Sequence, residues 1–158
     1  MPIRAVAVDT SQLDPVLDFL RLLWSIEHGL QRLSKRMNAE LGVTGPQRLV
    51  LRVVGQFPGI SAGELAHVLR LHPSTITGIL QRLVDRGLLE RTRHPHDSRR
   101  ARLHLKRQAK AFTQTSSGPV EQVVKRVLKQ TGASSAEAAR NLLSALAEQL
   151  DGDSNDAL

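Results

Sequence analysis

Apolar residues recur at steps of three and four over most of this chain, which predicts a mainly helical protein. The first stripe follows Asp14-Pro15, a capping residue and then a proline suited to the first helical position. It ends near Gly42, so residues 14–42 are predicted to form one long helix. The apolar members of this stripe are Val16, Phe19, Leu20, Leu23, Ile26, Leu30, Leu33, Met37 and Leu41.

Three shorter helices are predicted to follow in close succession. Residues 44–47 and 61–64 each place Ser or Thr three positions before Gln or Glu, which is the capping-box pattern of a helix start. A further helix begins at Pro73 and ends before Gly87. The apolar side of that helix is predicted to consist of Ile76, Ile79, Leu80 and Leu83.

The periodicity changes between residues 88 and 105. Leucines flank this segment, and Leu103-His104-Leu105 alternates as a strand does. The central Pro95-His96-Asp97-Ser98 has the composition of a turn. We predict a two-stranded hairpin with a long, arginine-rich tip.

The last third of the chain returns to helical spacing. Residues 107–150 contain two apolar stripes separated by Gly132, and a third capping-box pattern at residues 134–137. These stripes and that of residues 14–42 are too long for one small three-helix core to cover, which favours a homodimer. Residues 151–158 are polar and acidic and are predicted to fray as a flexible tail.

Positive charge is concentrated in one segment. The whole chain carries 22 Lys and Arg against 15 Asp and Glu, a net charge of +7. The same +7 is found between Arg82 and Lys110, where ten basic residues face three acidic ones. A local positive field attracts a polyanion, so nucleic acid is the first expected partner and an anionic membrane surface the alternative.

Two short helices joined by a tight turn and followed by a hairpin form the winged helix-turn-helix arrangement. Its second helix fits the DNA major groove, about 12 Å wide, and its hairpin, the wing, contacts phosphates or the minor groove. We predict residues 44–106 to be this lobe and residues 73–86 to be the recognition helix. The candidate DNA contacts on that helix are Ser74, Thr75, Thr77, Gly78, Gln81 and Arg82. In the wing, Arg93 and Arg100 are candidates for phosphate contacts.

Residues 60–105 resemble the DNA-binding core of the MarR (multiple antibiotic resistance regulator) family. The resemblance rests on the Ser74-Thr75-Ile76-Thr77 run, the Leu83–Arg91 segment and Asp97-Ser98-Arg99, and it extends over roughly residues 14–150. It implies a homodimer, with residues 14–42 and 107–150 interleaved as dimerisation helices, that represses by binding a pseudo-palindromic operator. It also implies that Asp97 orients wing arginines and that Arg99 contacts DNA. The family often has a basic residue where Gly78 stands.

The resemblance further implies release of DNA by a small aromatic or anionic effector. Trp24 and His28 are four residues apart and share a helix face, and we predict that they line a mainly aliphatic pocket with Arg48 and Arg52. The alternative is that Trp24 is an ordinary core residue.

Several other functions are disfavoured. The chain has no cysteine, which excludes disulfides and thiolate metal sites. His94 and His96 lie two apart in the hairpin, but a metal site there would need more ligands and no cysteine is available, so no metal and no cofactor is expected. No HExxH, Walker, GxSxG or GxGxxG motif occurs, so we expect no catalytic activity.

No apolar run approaches the roughly 20 residues of a membrane span. The apolar start of the chain is too short for a secretory signal, so we expect a cytoplasmic protein. Two alternatives to specific DNA binding stay open: a protein-interaction module that uses the winged fold, and a nucleic-acid chaperone or membrane-surface protein without sequence preference.

Overall fold

The computed structural model describes residues 12–94, 97–113 and 118–155. Within these ranges the elements follow the predicted order, with one additional short helix after the hairpin. The elements are α1 (Pro15–Leu41), α2 (Gly45–Gln56), α3 (Ala62–Leu69), α4 (Pro73–Asp85), β1 (Leu89–His94), β2 (Asp97–Leu105), α5 (Lys110–Thr113), α6 (Pro119–Thr131) and α7 (Ala133–Asn155). The predicted fold class, mainly helical with a two-stranded wing, is therefore confirmed.

The core lies between α2, α3, α4 and the base of the hairpin. Thr44 and Ser61 cap α2 and α3 in complete capping boxes, as predicted. The predicted apolar side of α4 is buried, and β2 is joined to the loop before α3 because the Gly59 N–H donates to the Leu103 carbonyl at 2.9 Å. The largest fully buried side chains are Leu51, Leu65, Ile76, Leu80, Leu83, Leu89, Leu103, Val43, Val50 and Val54.

The hairpin differs from the prediction at its tip. β1 and β2 pair antiparallel from Leu89 opposite Leu105 to His94 opposite Asp97, with an irregularity after Arg93. The basic residues of the tip therefore lie along paired strands, and the prediction of a long tip was wrong. A strand is held by main-chain hydrogen bonds, which form without apolar side chains.

The three long helices outside the lobe bury little. Met37 is the one α1 residue that is buried, and no α6 residue is buried. Apolar side chains that are about half exposed include Val16, Leu17, Phe19, Leu22, Trp24, Ile26, Leu30, Leu41, Val123, Val124, Val127, Leu128, Leu142, Leu143 and Leu150. None of the helices in the described ranges combines the length and hydropathy that a bilayer span requires.

The last helix is longer than predicted at both ends. α7 begins at Ala133, directly after Gly132 with φ +82°, so residues 134–137 lie inside the helix and do not start it. It also continues through residues 151–155, where a frayed tail was predicted; residues 156–158 are outside the described part. Alanines at 133, 136, 138 and 139 favour helix here more than a serine cap favours a later start.

Candidate nucleic-acid interface

Helix α4 separates its apolar and polar residues onto opposite sides. Ile76, Ile79, Leu80 and Leu83 are buried. The six residues predicted to contact DNA, Ser74, Thr75, Thr77, Gly78, Gln81 and Arg82, are all exposed. A Cβ built on Gly78 meets nothing within 4 Å, so open space lies in front of the middle of this face. The polar side of α4 is therefore accessible to a large ligand.

Local hydrogen bonds orient half of these side chains. His72 caps α4, because its Nδ1 accepts from the Ser74 N–H at 3.2 Å and lies 2.7 Å from the Ser74 hydroxyl. The Thr77 hydroxyl donates to the Pro73 carbonyl at 2.9 Å. Gln81 Nε2 donates to Asp85 Oδ1 at 2.7 Å. The Gln81 amide thus keeps its oxygen and its second N–H for a base edge.

Two residues of the α4 face are arranged differently. Within the described part of the chain, the Thr75 hydroxyl and the Arg82 guanidinium have no side-chain partner. A guanidinium offers five donors in a planar fork and suits a guanine edge or a phosphate. Arg82 is therefore the cation of α4 that is most available to a nucleic acid.

The wing brings several arginines onto neighbouring strands. Arg91 and Arg93 are exposed on β1 and share a face because strand side chains alternate. Arg102, on β2, lies opposite Thr92 in the register. The backbone of residues 97–100 belongs to β2, while the side chains of Asp97, Arg99 and Arg100 are outside the described part of the chain. The positions predicted to contact phosphates thus lie on one paired hairpin.

Main-chain contacts fix the wing to the end of α4. The Leu88 N–H donates to the Leu83 carbonyl at 2.9 Å, and the Lys106 N–H donates to the Leu88 carbonyl at 3.0 Å. Gly87 makes the connection at φ +67°, a conformation that favours glycine. The Gln108 amide donates to the Gly87 carbonyl. These contacts hold the basic hairpin at a set position at the C-terminal end of α4.

Sequence analysis missed Arg86 and Gln108, whose side chains make long-range contacts at the end of α4. The Arg86 side chain donates to the Gly42 carbonyl at the end of α1, and so ties the end of α4 to the long first helix. Both contacts join residues more than 20 positions apart in the chain. Local patterns contain no signal for such pairs; only the helix stop at Gly87 was visible.

The predicted effector residues fall into two groups. Trp24 and His28 are exposed on α1, and Trp24 is 63% exposed, so it is not a core residue of the single chain. Arg48 and Arg52 on α2 come together, and both bind the carboxylate of Glu121 on α6. The structure thus brings the two arginines together but places a carboxylate of the same chain between them.

Glu121 is held in its ionised form. Burial opposes this by raising the pKa of the carboxyl, but the Gly118 N–H, Arg52 and Arg48 together leave the pKa below its usual value. Arg48 is buried at 6% exposure and lies 3.3 Å from Glu121. Two cations therefore bind one carboxylate at the junction of α2 and α6.

The structure holds no obvious metal-binding cluster in the described ranges. No group of three or more His, Asp or Glu residues there is arranged to hold an ion. The His94 side chain and His96, weighed above as ligands, are outside the described part.

A helix pair that buries its apolar side, exposes a polar second helix and carries a basic hairpin defines a winged helix-turn-helix protein. Comparison with known proteins narrows this class. Residues 41–100 match the model described as MarR family. This match covers the winged lobe, and over these residues the chain is similar to the MarR family. No curated protein sequence matches the chain.

Solved structures share the architecture over nearly their full length. MepR from S. aureus, in a complex with DNA, is 17% identical with a TM-score of 0.69, covering 84% of this chain and 97% of that chain. A mutant of MarR from E. coli, complexed with operator DNA, is 24% identical with a TM-score of 0.66, covering 83% and 94%. PcaV from Streptomyces coelicolor, in complex with its natural ligand, is 24% identical with a TM-score of 0.67, covering 90% and 97%.

Proposed function

We propose that this chain is a sequence-specific DNA-binding transcriptional regulator of the cytoplasm. It binds a pseudo-palindromic operator as a homodimer and acts as a repressor without catalytic activity. The observation that carries the proposal is the exposed polar face of α4 on a helix whose C-terminal end is joined to an arginine-rich hairpin. The similar folds of MepR, solved with DNA, and of MarR, solved with operator DNA, support DNA binding by this chain.

The two parts of this surface have different tasks. Gln81 and Arg82 are exposed in the second half of α4, and glutamine and arginine side chains can bond base edges in the major groove. The arginines of β1 and β2 supply phosphate contacts, which position the protein but do not read sequence. We therefore expect α4 to set the preferred bases and the wing to set the overall affinity.

The exposed apolar sides of α1, α6 and α7 support the proposed homodimer. Two copies related by a two-fold axis would place two α4 helices about one DNA turn, roughly 34 Å, apart. That distance matches the spacing of two half-sites on one side of a duplex, which is why a pseudo-palindrome is expected.

In-vitro selection of bound duplexes tests this function. The selected sequences are expected to show two inverted half-sites, and affinity is expected to fall steeply with salt because phosphate contacts release counterions. Equal affinity for selected and random duplexes would overturn the proposal and favour a chaperone without sequence preference. Absence of duplex binding would favour a protein-interaction module.

Two substitutions separate the two tasks. Arg99→Ala is expected to weaken binding to every duplex and to lower the salt slope by about one unit. Gln81→Ala is expected to change the preferred base at one position per half-site, with a discrimination loss of about 1–3 kcal/mol. Arg36→Ala is the matched control, because Arg36 lies on α1 and pairs with Glu40. If Gln81→Ala left base preference unchanged, the assignment of α4 as the reading helix would be wrong.

We also propose that a small aromatic or anionic effector releases the DNA. The support is that Arg48 and Arg52 are brought together at Glu121, and that Trp24 and His28 are exposed on α1. Trp24 is the sole tryptophan of the chain, so its fluorescence reports binding directly. Benzoate titration is expected to change this fluorescence and weaken operator binding, and Arg52→Ala to reduce both effects. A fluorescence change that survives Arg52→Ala would remove the arginines from the site.

A further inference from the structure

Arg70 lies in the turn between α3 and α4 with an uncommon backbone conformation. Its φ of +50° and ψ of +46° place it in the left-handed region. Among the described residues other than glycine, it alone has a positive φ. Glycine or asparagine adopts this conformation at lower cost than arginine does. The presence of arginine at this turn therefore indicates that its side chain has a function.

The Arg70 side chain reaches across to α7. Its Nη1 lies 2.9 Å from Glu148 Oε1 and donates to the Ser144 carbonyl at 3.2 Å. The sequence separation exceeds 70 residues, so this contact joins the helix-turn-helix to the last helix of the chain. Arg70 lines two open clefts, one together with Ser144 and the other together with Glu148. The contact thus bridges a gap that other side chains leave open.

Arg70 lies close to the start of α4, so its contact with α7 can affect the direction of the recognition helix. Arg70 comes two residues before His72, which caps α4, and three before Pro73, where α4 begins. The other end of the bridge lies on α7, one of the helices with an uncovered apolar side. A tilt of the turn relative to α7 would therefore tilt the polar face of α4 with it.

We propose that Arg70 is a positioning residue that ties the α3–α4 turn to α7 and so sets the direction of α4. This inference rests on the proposed function, in which two α4 helices of a dimer bind two half-sites. With the contact intact, the two recognition helices stand at one separation, and the protein discriminates between half-site spacings. Without it, the separation varies and discrimination falls.

The size of the effect follows from the exposure of the pair. The side chains of Arg70 and Glu148 are 45% and 67% exposed, and exposed ion pairs are weak. We therefore expect a two- to fivefold loss of spacing discrimination, in line with about one exposed ion pair for each subunit. Affinity for the best spacing is expected to fall by a similar factor.

Three variants test the contact from both ends. Arg70→Asn keeps a residue that tolerates the left-handed region but cannot reach α7. Glu148→Ala removes the other end without touching the turn. The double change Arg70→Glu with Glu148→Arg reverses the pair and is expected to restore it. Glu137→Ala is the control, because it breaks the Glu137–Arg140 pair, which lies entirely within α7.

Two measurements are made on the full-length protein. The first is hydrogen exchange of the free protein at the Leu71 amide, which donates to the Ala66 carbonyl in the α3–α4 turn. The second is affinity for a series of selected duplexes whose half-site spacing changes by one base pair at a time. Unfolding free energy is measured in parallel, and Arg70→Asn is expected to leave it unchanged or to raise it.

The expected result is faster exchange and reduced spacing discrimination in Arg70→Asn and Glu148→Ala, with recovery in the reversed pair and no change in Glu137→Ala. An equal loss of affinity on every duplex would overturn the proposal, because it would make Arg70 a phosphate contact. Unchanged exchange in both single variants would also overturn it. If the wild type bound no duplex, the proposed function would fail, and the exchange measurement would still decide whether the contact holds the turn.

Discussion

The winged lobe (α2–α4, β1 and β2) buries its apolar side chains, whereas the terminal helices (α1, α6 and α7) leave many of theirs exposed. In the lobe, Leu65, Leu80 and Leu83 are completely buried. In the terminal helices, Ile26 and Val127 are 56% and 52% exposed. The lobe completes its core within one chain, whereas the terminal helices carry apolar stripes of the same kind and leave them uncovered.

This difference shows that the terminal helices, and not the lobe, lack a packing partner within the single chain. A helix with an apolar stripe is stable in water when another element covers the stripe. Exposed apolar surface spread over three long helices exceeds the scattered exposure of an ordinary monomer. In the proposed homodimer the terminal helices would pack against a second copy, so their stability is expected to depend on protein concentration, while that of the lobe is not.

The largest effect is expected from a charge in the uncovered stripe. Ile26→Glu would place a carboxylate in the middle of the proposed dimer interface, where burial of an unpaired charge costs at least several kcal/mol. The dimer is expected to dissociate in sedimentation velocity experiments, and operator affinity to fall by several orders of magnitude because two half-sites are no longer bound together.

A matched change in the lobe provides the control. Val68 on α3 is apolar and 50% exposed, as Ile26 is, but lies outside the terminal helices. Val68→Glu is expected to leave the dimer intact. If both variants dissociated, or neither did, the contrast between the two regions would not mark the interface.

Truncation of a leucine is expected to give the next largest effect. The dependence of the stability loss on protein concentration distinguishes the two regions. Leu80→Ala removes a fully buried side chain and is expected to lower the unfolding free energy by about 2–5 kcal/mol at every protein concentration. Leu142→Ala, on α7, is expected to destabilise mainly by weakening association. Its loss is expected to be small at low protein concentration, where both proteins are monomeric, and to grow in denaturant titrations as the concentration rises and association contributes to stability. A loss of the same size at concentrations where both proteins are monomeric would place the Leu142 side chain in a core of the single chain.

The same contrast explains what the sequence could predict. The buried side of α4, the capping boxes at Thr44 and Ser61 and the hairpin follow from local patterns. Apolar periodicity and helix capping depend only on residues that are close in sequence. In the lobe, the residues that these signals predict to be buried are the ones that form the tertiary core. The exposed polar face of α4 followed for the same reason, since the buried stripe determines which residues remain outside.

Sequence patterns could not predict contacts between residues that lie far apart in the chain. Arg70 with Glu148, and Arg48 with Glu121, are joined by the path of the whole chain, and a single sequence contains no period that marks them. The strand pairing of the basic hairpin was also missed at the tip. Its arginines suggested a loop, whereas the main-chain ladder continues to His94.

An intermediate effect is expected at the junction of the two regions. Glu121 on α6 has a pKa below its usual 4.5, so the unfolded state binds the proton more readily than the folded state. The stability that this carboxylate provides is present above pH 4.5 and is lost as the pH falls through the lower pKa of the folded state. Glu121→Gln is expected to remove this acid dependence and to cost about 1.5–3 kcal/mol at neutral pH, since buried Arg48 loses its charged partner.

Denaturant titrations at neutral pH and near pH 4 measure this change. Glu40→Gln serves as the control, because Glu40 forms an ion pair with Arg36 on the exposed surface of α1. A loss of stability in Glu121→Gln that was the same at both pH values would contradict the assignment of Glu121 as the acid-sensitive link between α2 and α6.

The smallest effect is expected on the DNA-facing side of the lobe, where stability and function are expected to move in opposite directions. Gly78 lies inside α4 with open space around a Cβ. Gly78→Ala is expected to raise the unfolding free energy by about 0.5–1 kcal/mol, because alanine restricts the unfolded chain and favours helix. The added methyl group would occupy the space through which the backbone approaches a base pair, so operator affinity is expected to fall.

Gly63 on α3 offers the matched comparison, since a Cβ there also meets nothing within 4 Å. Gly63→Ala is expected to leave operator affinity unchanged. If Gly78→Ala gained stability and kept full affinity, α4 would approach DNA by its end and not by its middle. The six exposed residues would then no longer act as one reading face, and the search for base contacts would move to Ser74 and Thr75.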